Sequence, residues 1–177
     1  MPSPFEQLVN QIRTDRNVCG AVPNPVPRFD PSGGNERSKF LMILEAPGPK
    51  AIASGLVSLD NEDQTARNLK SQLAEVKMAR QDVVLWNVVP WYLGDGQRIE
   101  AATRADIDSG KPYLQRLVLL LPRLECILLF GEKAREAHVF LSGITRARIL
   151  GCHHPAPRGM RGENREENMK VLKMLSE

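Results

Sequence analysis

The sequence has little cysteine, and its three cysteines, Cys19, Cys126 and Cys152, are far apart with no C-x-x-C pair among them. A disulfide framework or a zinc ribbon needs closely spaced cysteines, so the spacing argues against both. Cys126 lies inside an apolar run, where a free cysteine usually packs as a small buried hydrophobe.

Long apolar runs are also missing. No run approaches the ~20 residues of a membrane helix, and the N-terminal segment MPSPFEQLVNQIRTDRN has no signal-peptide core. We therefore expect a soluble, intracellular protein that does not contact membranes. Internal repeats and low-complexity tracts are absent as well.

A strong excess of one charge is absent too, because the formal net charge is only +3. The positive charge is concentrated near the C-terminus, where Glu163 is the single acidic residue in a cluster of five arginines: Arg146, Arg148, Arg158, Arg161 and Arg165. This pattern predicts a local basic surface on an otherwise balanced protein. The alternative is that these arginines are merely solvated.

The apolar residues form four short runs, at 40–46, 83–89, 126–131 and 147–152. They alternate with segments of helical length at 63–80, 103–124, 131–141 and 162–175. Such alternation is typical of a parallel sheet that is covered on both faces. We predict an α/β fold, a three-layer α/β/α sandwich with a central four-stranded parallel sheet.

The length of 177 residues predicts a single domain. Its first part, 1–39, would hold a helix at about 4–16 and an irregular proline- and glycine-rich connection at 18–38, and its core would span 40–177. Asp63 can cap the helix that follows it. Gly110 and Pro112 predict a break, or a late start near Lys111, in the long central helix.

Polar side chains follow three of the predicted strands. Glu45 comes after the first strand, Asn87 lies within the second, and His154 comes after the fourth. Ligands bind at the carboxyl ends of parallel strands, so these three side chains are expected to meet at one edge. Each has a structural alternative, although a buried asparagine in a strand needs partners.

Three motifs carry a family resemblance: LEAPG at 44–48, WNVVPW at 86–91 and HHPAP at 153–157. In order and spacing they resemble the motifs of the uracil-DNA glycosylase superfamily, and the glycine of LLFGEKA is similar too. The likeness covers roughly residues 40 to 175. The four cysteines of the iron–sulfur branch are absent, so the resemblance points to a bacterial branch without that cluster, and no metal or cofactor is expected.

The sequence departs from the family pattern at several positions. Leu44 replaces the usual first glycine, Ala156 replaces a serine, and Ala46 stands where the best-studied branch has its catalytic aspartate. Glu45 is therefore the only carboxylate in the first motif. The nearest candidate for the side chain that stacks on the base is Leu56, which is aliphatic where the family usually has an aromatic.

The resemblance implies an enzyme that flips uracil out of double- or single-stranded DNA and hydrolyses its N-glycosidic bond, leaving an abasic site. It would act as a monomer in the cytoplasm of a bacterium, in association with the nucleoid. Glu45 and His154 would be catalytic, with Asp60 or Asp63 as the carboxylate if Glu45 is not. The residues implied for the base are Ala46, Pro47, Gly48, Leu56 and Asn87, and those implied for DNA are Ser58, Gly131, Lys133, Arg158, Met160 and Arg161.

Two other functions compete with this one. A glycosylase-like domain that binds DNA or a nucleotide without hydrolysis is favoured somewhat by the departures at Leu44, Ala46, Leu56 and Ala156. A small-molecule enzyme on a flavodoxin-like sheet is disfavoured, because no glycine-rich phosphate loop follows the first strand.

Overall fold

The computed structural model describes residues 2–18, 25–95 and 98–176. Its helices are α1 (Pro4–Val18), α2 (Pro49–Ser54), α3 (Gln64–Glu75), α4 (Arg104–Leu119), α5 (Glu132–Arg135), α6 (His138–Ser142) and α7 (Asn164–Ser176). Its strands are β1 (Arg28–Phe29), β2 (Phe40–Leu44), β3 (Leu56–Val57), β4 (Val83–Asn87), β5 (Cys126–Phe130) and β6 (Arg148–Cys152). Within the described ranges, no helix has both the length and the apolar character needed to cross a membrane.

Four of the strands form one sheet in the order β4-β2-β5-β6, and every neighbouring pair is parallel. Leu44 pairs with Asn87 at the carboxyl end of β2 and β4, and Phe130 pairs with Cys152 at the same end of β5 and β6. The predicted four-stranded parallel sheet is therefore confirmed. All five residues of β2 and all five of β5 are buried, as expected for strands covered on both faces.

The two faces of the sheet carry separate apolar cores. Leu41 and Ile43 of β2 belong to the core that includes residues of α1, α4, α5 and α6. Phe40, Met42 and Leu44 belong to the core that includes α3 and α7. Alternate residues of one strand thus contribute to opposite layers, and the α/β/α sandwich is confirmed.

Helix α1 packs into the first of these two cores. Phe5, Leu8, Val9 and Ile12 of this helix are all buried. The Phe5 ring stacks on Phe29 of β1 at a centroid distance of 4.5 Å, and Phe29 stacks on Trp86 of β4 at 3.7 Å. This chain of rings joins α1 to the central sheet, and each aromatic pair adds to the burial of apolar area.

The segment expected to be irregular contains one regular piece. The short strand β1 pairs in parallel with β3, so that Arg28 lies opposite Leu56. Residues 19–24 of that segment lie outside the described residues. The prediction of a wholly irregular connection was wrong for the described part, because a two-residue strand has no periodicity that the sequence could display.

The predicted break in the central helix was also wrong. Helix α4 runs continuously through Pro112, after a start at Thr103 where the Thr103 and Asp106 side chains form a capping box. Proline at this position removes the hydrogen bond to the Asp108 carbonyl. Both Asp108 and Pro112 lie on the exposed side of the helix, where water can satisfy that carbonyl. The expected cap at Asp63 is confirmed, since its carboxylate accepts from the Ala66 N–H at 2.8 Å.

Gly110 of α4 is a position where alanine should destabilise the protein, although alanine normally favours a helix. Replacing glycine by alanine inside a helix normally stabilises it by about 1 kcal/mol. A Cβ at Gly110, however, would lie 2.1 Å from the Val88 carbonyl oxygen, which is rigid backbone next to Asn87. We therefore expect Gly110→Ala to lower the free energy of unfolding by about 1–3 kcal/mol, measured by urea denaturation. Ser109→Ala, on the exposed side of the same helix, is the control, and equal stabilities of the two variants would contradict the close approach.

Candidate active site

A cavity of about 490 Å³ opens at the carboxyl ends of β2 and β4. Its walls come from the loop after β2, the segment between β3 and α3, the first turns of α3, the connection before α4 and the loop after β6. The volume is in the range of small-ligand sites. The polar residues that line it are Glu45, Lys50, Ser58, Asn61, Asp63, Thr65, Asn87, Glu100 and His154.

Glu45 is fixed from two directions. Its backbone carbonyl accepts from the Val89 N–H at 3.0 Å, which continues the pairing of β2 with β4 past the strand ends. Its side-chain Oε1 accepts from the Ala102 N–H at 2.7 Å. Oε2 has no hydrogen-bond partner among the described residues, so one carboxylate oxygen remains available to a ligand or a water in the cavity.

Asn87 ends β4 and is only 4% exposed. Its side-chain amide makes no hydrogen bond to any residue in the described ranges, although it lines the cavity. Buried amides normally have partners, because an unsatisfied donor or acceptor is costly. A carboxamide that lines a cavity, with neither of its groups paired within the described ranges, is suited to a planar polar ligand.

His154 presents a defined ring nitrogen to the cavity. Its Nδ1 accepts from the Ala156 N–H at 3.1 Å, so in the neutral ring the proton is on Nε2, which then acts as a donor. Burial lowers the pKa of His154 below its ordinary value, and the nearby Glu45 carboxylate raises it in part. The neutral imidazole with a free Nε2–H is thus the form that the site favours.

Gly131 lies directly against the His154 side chain. It has a φ of +89°, which favours glycine, and a Cβ there would lie 3.1 Å from the His154 Cβ. Its N–H donates to the Cys152 carbonyl at 2.9 Å. Gly131 therefore fixes the close approach of the β5 and β6 ends.

The His153 side chain contacts α7 and not the cavity. Its Nε2 lies 2.6 Å from Oε2 of Glu167 on α7, and it is not among the residues that line the cavity. Of the two adjacent histidines, only His154 reaches the cavity.

The other residues expected at the base divide into two groups. Ala46, Pro47 and Gly48 line the cavity together with Asn87. Leu56 does not, since it lies on β3 opposite Arg28 and faces a neighbouring cleft.

Asp60 lies outside the cavity lining. Its carboxylate is ion-paired with Lys70 at 2.6 Å and with Arg80 at 2.6 Å. Hydrogen bonds from these two cations lower the pKa of Asp60. Asp63 does line the cavity, but its carboxylate caps α3.

The residues expected to contact DNA occupy several environments. Ser58 lines the cavity and donates to the Asp30 carboxylate at 2.5 Å. Lys133 is paired with Glu136 at 3.2 Å. These two side chains are engaged within the protein.

The loop after His154 is basic and partly anchored. Arg158 and Arg161 are exposed and make no ion pair with any described residue. Met160 is half-buried, and its Sδ accepts from Nε2 of the buried Gln72 at 3.4 Å. The two arginines are thus free to meet an external anion, whereas Met160 is turned toward α3.

Sequence reasoning missed part of the wall. Ile99, Glu100 and Ala101 line the cavity from the connection between β4 and α4, and Ile99 is 63% exposed. The only available signal was the position of that long connection after β4, at the edge where ligands bind. Among the described residues that line the cavity there is no phenylalanine, tyrosine or tryptophan, and the apolar wall includes Val57 and Leu85.

No group of three or more metal-ligating side chains occurs in the part of the chain that the structure describes. At the carboxyl ends of the strands, the cavity brings together the carboxylate of Glu45, the carboxamide of Asn87 and the imidazole of His154, while Asp63 and Glu100 add two further carboxylates to its wall.

The model of the uracil DNA glycosylase superfamily matches residues 31–175, so the chain belongs to this superfamily. The solution NMR structure of a protein from Methanosarcina acetivorans, provisionally named a uracil DNA glycosylase, is similar at 16% identity and a TM-score of 0.47, covering 81% of this chain and 94% of that one. No curated protein matches the sequence.

The surroundings of His154 predict its titration. We expect its pKa to lie below the ordinary value of about 6.5, because burial disfavours the charged ring. Glu45→Gln should lower it further, since the variant removes the negative charge that favours the imidazolium. Ring-proton chemical shifts followed by NMR against pH measure both effects. Glu136→Gln, which removes a carboxylate outside the cavity, is the control, and an unchanged His154 pKa in Glu45→Gln would contradict the proximity of the two groups.

Proposed function

We propose that the protein is a monofunctional uracil-DNA glycosylase that hydrolyses the N-glycosidic bond of a flipped uracil and leaves an abasic site. The observation that carries this proposal is the buried Asn87 amide, which has no hydrogen-bond partner among the described residues and lines the same cavity as Glu45 and His154. Family membership supports a glycosylase of this general kind. We further propose that the chain acts on DNA as a monomer and as a single domain.

Asn87 would read the base. A planar amide offers one donor and one acceptor, and uracil presents an O4 acceptor beside an N3 donor. Cytosine presents the opposite pattern, an N4 donor beside an N3 acceptor. A fixed amide therefore discriminates between them, and burial makes the mismatch costly.

His154 would stabilise the leaving base. Negative charge develops on uracil O2 as the glycosidic bond breaks, and a preorganised donor at that oxygen lowers the barrier. The Ala156 N–H on Nδ1 keeps the donor on Nε2, and Pro155 and Pro157 restrict the backbone around it. A neutral His154 meets this requirement as a hydrogen-bond donor without acting as a general acid.

Glu45 would orient the attacking water or stabilise the cationic sugar. The bond from Ala102 holds one of its oxygens and leaves the other free. We assign this role to Glu45 in preference to Asp60, because Asp60 is outside the cavity lining and already paired with two cations.

The base would be enclosed by aliphatic side chains. Val57, Leu69 and Leu85 line the cavity, and Leu56 does not. We therefore propose that stacking comes from these three residues, with Ala46, Pro47 and Gly48 forming the backbone side of the pocket.

DNA binding would depend on the loop after His154. Arg158 and Arg161 would hold phosphates, which position the DNA without reading its sequence. Arg158 is the freer candidate to fill the gap left by the flipped base, because Met160 is held by Gln72. Gly131 and Lys133 are partly exposed and would contact the DNA backbone, whereas Ser58 is buried and donates to Asp30, which makes it the weakest of the DNA-contact candidates.

A second candidate function is DNA or nucleotide binding without hydrolysis. The observation that favours it is Ala46, which occupies the position of the catalytic aspartate in the family's best-studied branch and leaves a single carboxylate in the first motif. The two candidates differ in one product, the abasic site.

Detection of the abasic site therefore distinguishes the two functions. The protein is incubated with an oligonucleotide that contains one uracil, and alkali then cleaves the strand at any abasic site. We expect cleavage by the wild type, and a loss on the order of 10²–10³ in single-turnover rate for His154→Ala, the scale of one oxyanion-type donor. His153→Ala is the matched control and should lose much less. Binding without cleavage by the wild type would favour the second candidate, and equal losses in the two variants would remove the role of His154.

Asn87→Asp tests the reading of the base. The substitution replaces the amide donor with a second acceptor at almost constant volume, so uracil O4 would face an acceptor. The mismatch costs about 1–3 kcal/mol or more when charged, and about 1.4 kcal/mol corresponds to tenfold in rate. We expect uracil excision to fall about fivefold or more, with weak cytosine excision when the carboxyl group is protonated.

Matched oligonucleotides with uracil or cytosine at one position measure this specificity. Asn10→Asp is the control, because it adds the same charge on an exposed position of α1. Full uracil activity in Asn87→Asp would mean that another group reads the base.

A further inference from the structure

Two asparagines from two different helices hold the backbone on either side of His154. Asn168 of α7 is 1% exposed and binds His153, the residue before His154. Its Oδ1 accepts from the His153 N–H at 2.7 Å, and its Nδ2 donates to the His153 carbonyl at 2.9 Å. One buried amide therefore satisfies both backbone groups of His153.

Asn68 of α3 holds the residue after His154. Its Nδ2 donates to the Pro155 carbonyl at 2.7 Å. Its Oδ1 accepts from Nε2 of Gln64 at 2.8 Å, which sets the orientation of the amide. Helices α3 and α7 lie on the same face of the sheet and contact each other.

The chain needs these amides because the sheet has ended. The last residue of β6 is Cys152, whose carbonyl accepts from the Gly131 N–H at 2.9 Å and from Nη2 of Arg135 at 2.8 Å. Beyond it, no strand in the described part of the chain offers partners to His153, and buried backbone groups must be paired. The side chain of Asn168 takes the place of a neighbouring strand.

We propose that Asn168 and Asn68 are positioning residues for His154 in catalysis. His154 lies between the two anchored residues, and Ala156 directly follows the second, so the bond from the Ala156 N–H to Nδ1 depends on the path of residues 153–156. That bond sets the ring tautomer and the direction of Nε2–H. The proposal rests on the role of His154 in the proposed function, and it predicts an effect on the ring itself that is independent of that function.

Asn168→Asp is the principal variant. It keeps the acceptor for the His153 N–H and places a second acceptor against the His153 carbonyl, so the loop should shift. We expect the single-turnover rate on uracil-containing DNA to fall about tenfold or more, with the dissociation constant for DNA changed by no more than about twofold. A catalytic loss without a binding loss is the expected signature of misplaced chemistry.

Leu172→Ala is the matched control. Leu172 is fully buried four residues further along α7, so its truncation weakens the packing of the same helix without removing a bond to His153. Measured well below its unfolding temperature, this variant should keep a rate within about twofold of the wild type. Equal slowing by Asn168→Asp and Leu172→Ala would overturn the proposal and leave Asn168 as a support of the fold alone.

The second measurement is made without DNA. Nitrogen-15 shifts of the His154 ring report which ring nitrogen carries the proton. We expect the Nε2–H tautomer in the wild type and a mixture of tautomers in Asn168→Asp. An unchanged ring in the variant would overturn the proposal, whereas a changed ring in a protein whose wild type cleaves no uracil-containing DNA would support positioning and refute the proposed function.

Asn68→Ala keeps the test decisive if Asn168→Asp does not fold. Asn68 is only partly buried on α3, and alanine is a good helix former. We expect a smaller loss of rate and a smaller change in the ring nitrogens, in the same direction. Wild-type rate and wild-type ring shifts in Asn68→Ala would then overturn the proposal.

Discussion

The parallel pairing of β2 with both β4 and β5 is the constraint on which the site depends. This pairing brings the carboxyl ends of the strands to one edge, and Leu44 and Asn87 are partners in the last register position. Together with the pairing of β5 and β6, it places Glu45, Asn87 and His154 at one cavity, although these residues are far apart in sequence. The pairing of the strands sets the approximate positions of these residues, and the loops determine the exact placement of their side chains.

Parts of this arrangement could be predicted because they have a strong physical signal. Four apolar runs predicted the parallel sheet, and the position of Glu45, Asn87 and His154 after strands predicted their convergence. The contact of Ala102 with Glu45 could not be predicted, because a backbone N–H carries no side-chain signature. The placement of Leu56 on β3, away from the cavity, depends on a two-residue strand pair that has no periodicity.

The anchoring of His154 illustrates a different limit. In the sequence, Asn68 and Asn168 are two polar residues in amphipathic helices, and nothing distinguishes them from solvated asparagines. Burial and hydrogen bonding separate them, since Asn168 meets both backbone groups of His153 and Asn68 meets Pro155. Two helix residues outside the cavity lining thus help to orient the His154 side chain inside it.

The packed core of this protein extends beyond the segment that matches the superfamily model. The superfamily match begins at residue 31, yet Phe5, Leu8 and Ile12 of α1 are buried in the core under the sheet, and the Phe29 ring lies against Trp86. A fragment cut at the family boundary would expose this apolar surface to water at roughly 25 cal/mol for each Å². The boundary that is appropriate for comparing relatives is therefore a poor place to begin an expression fragment of this chain.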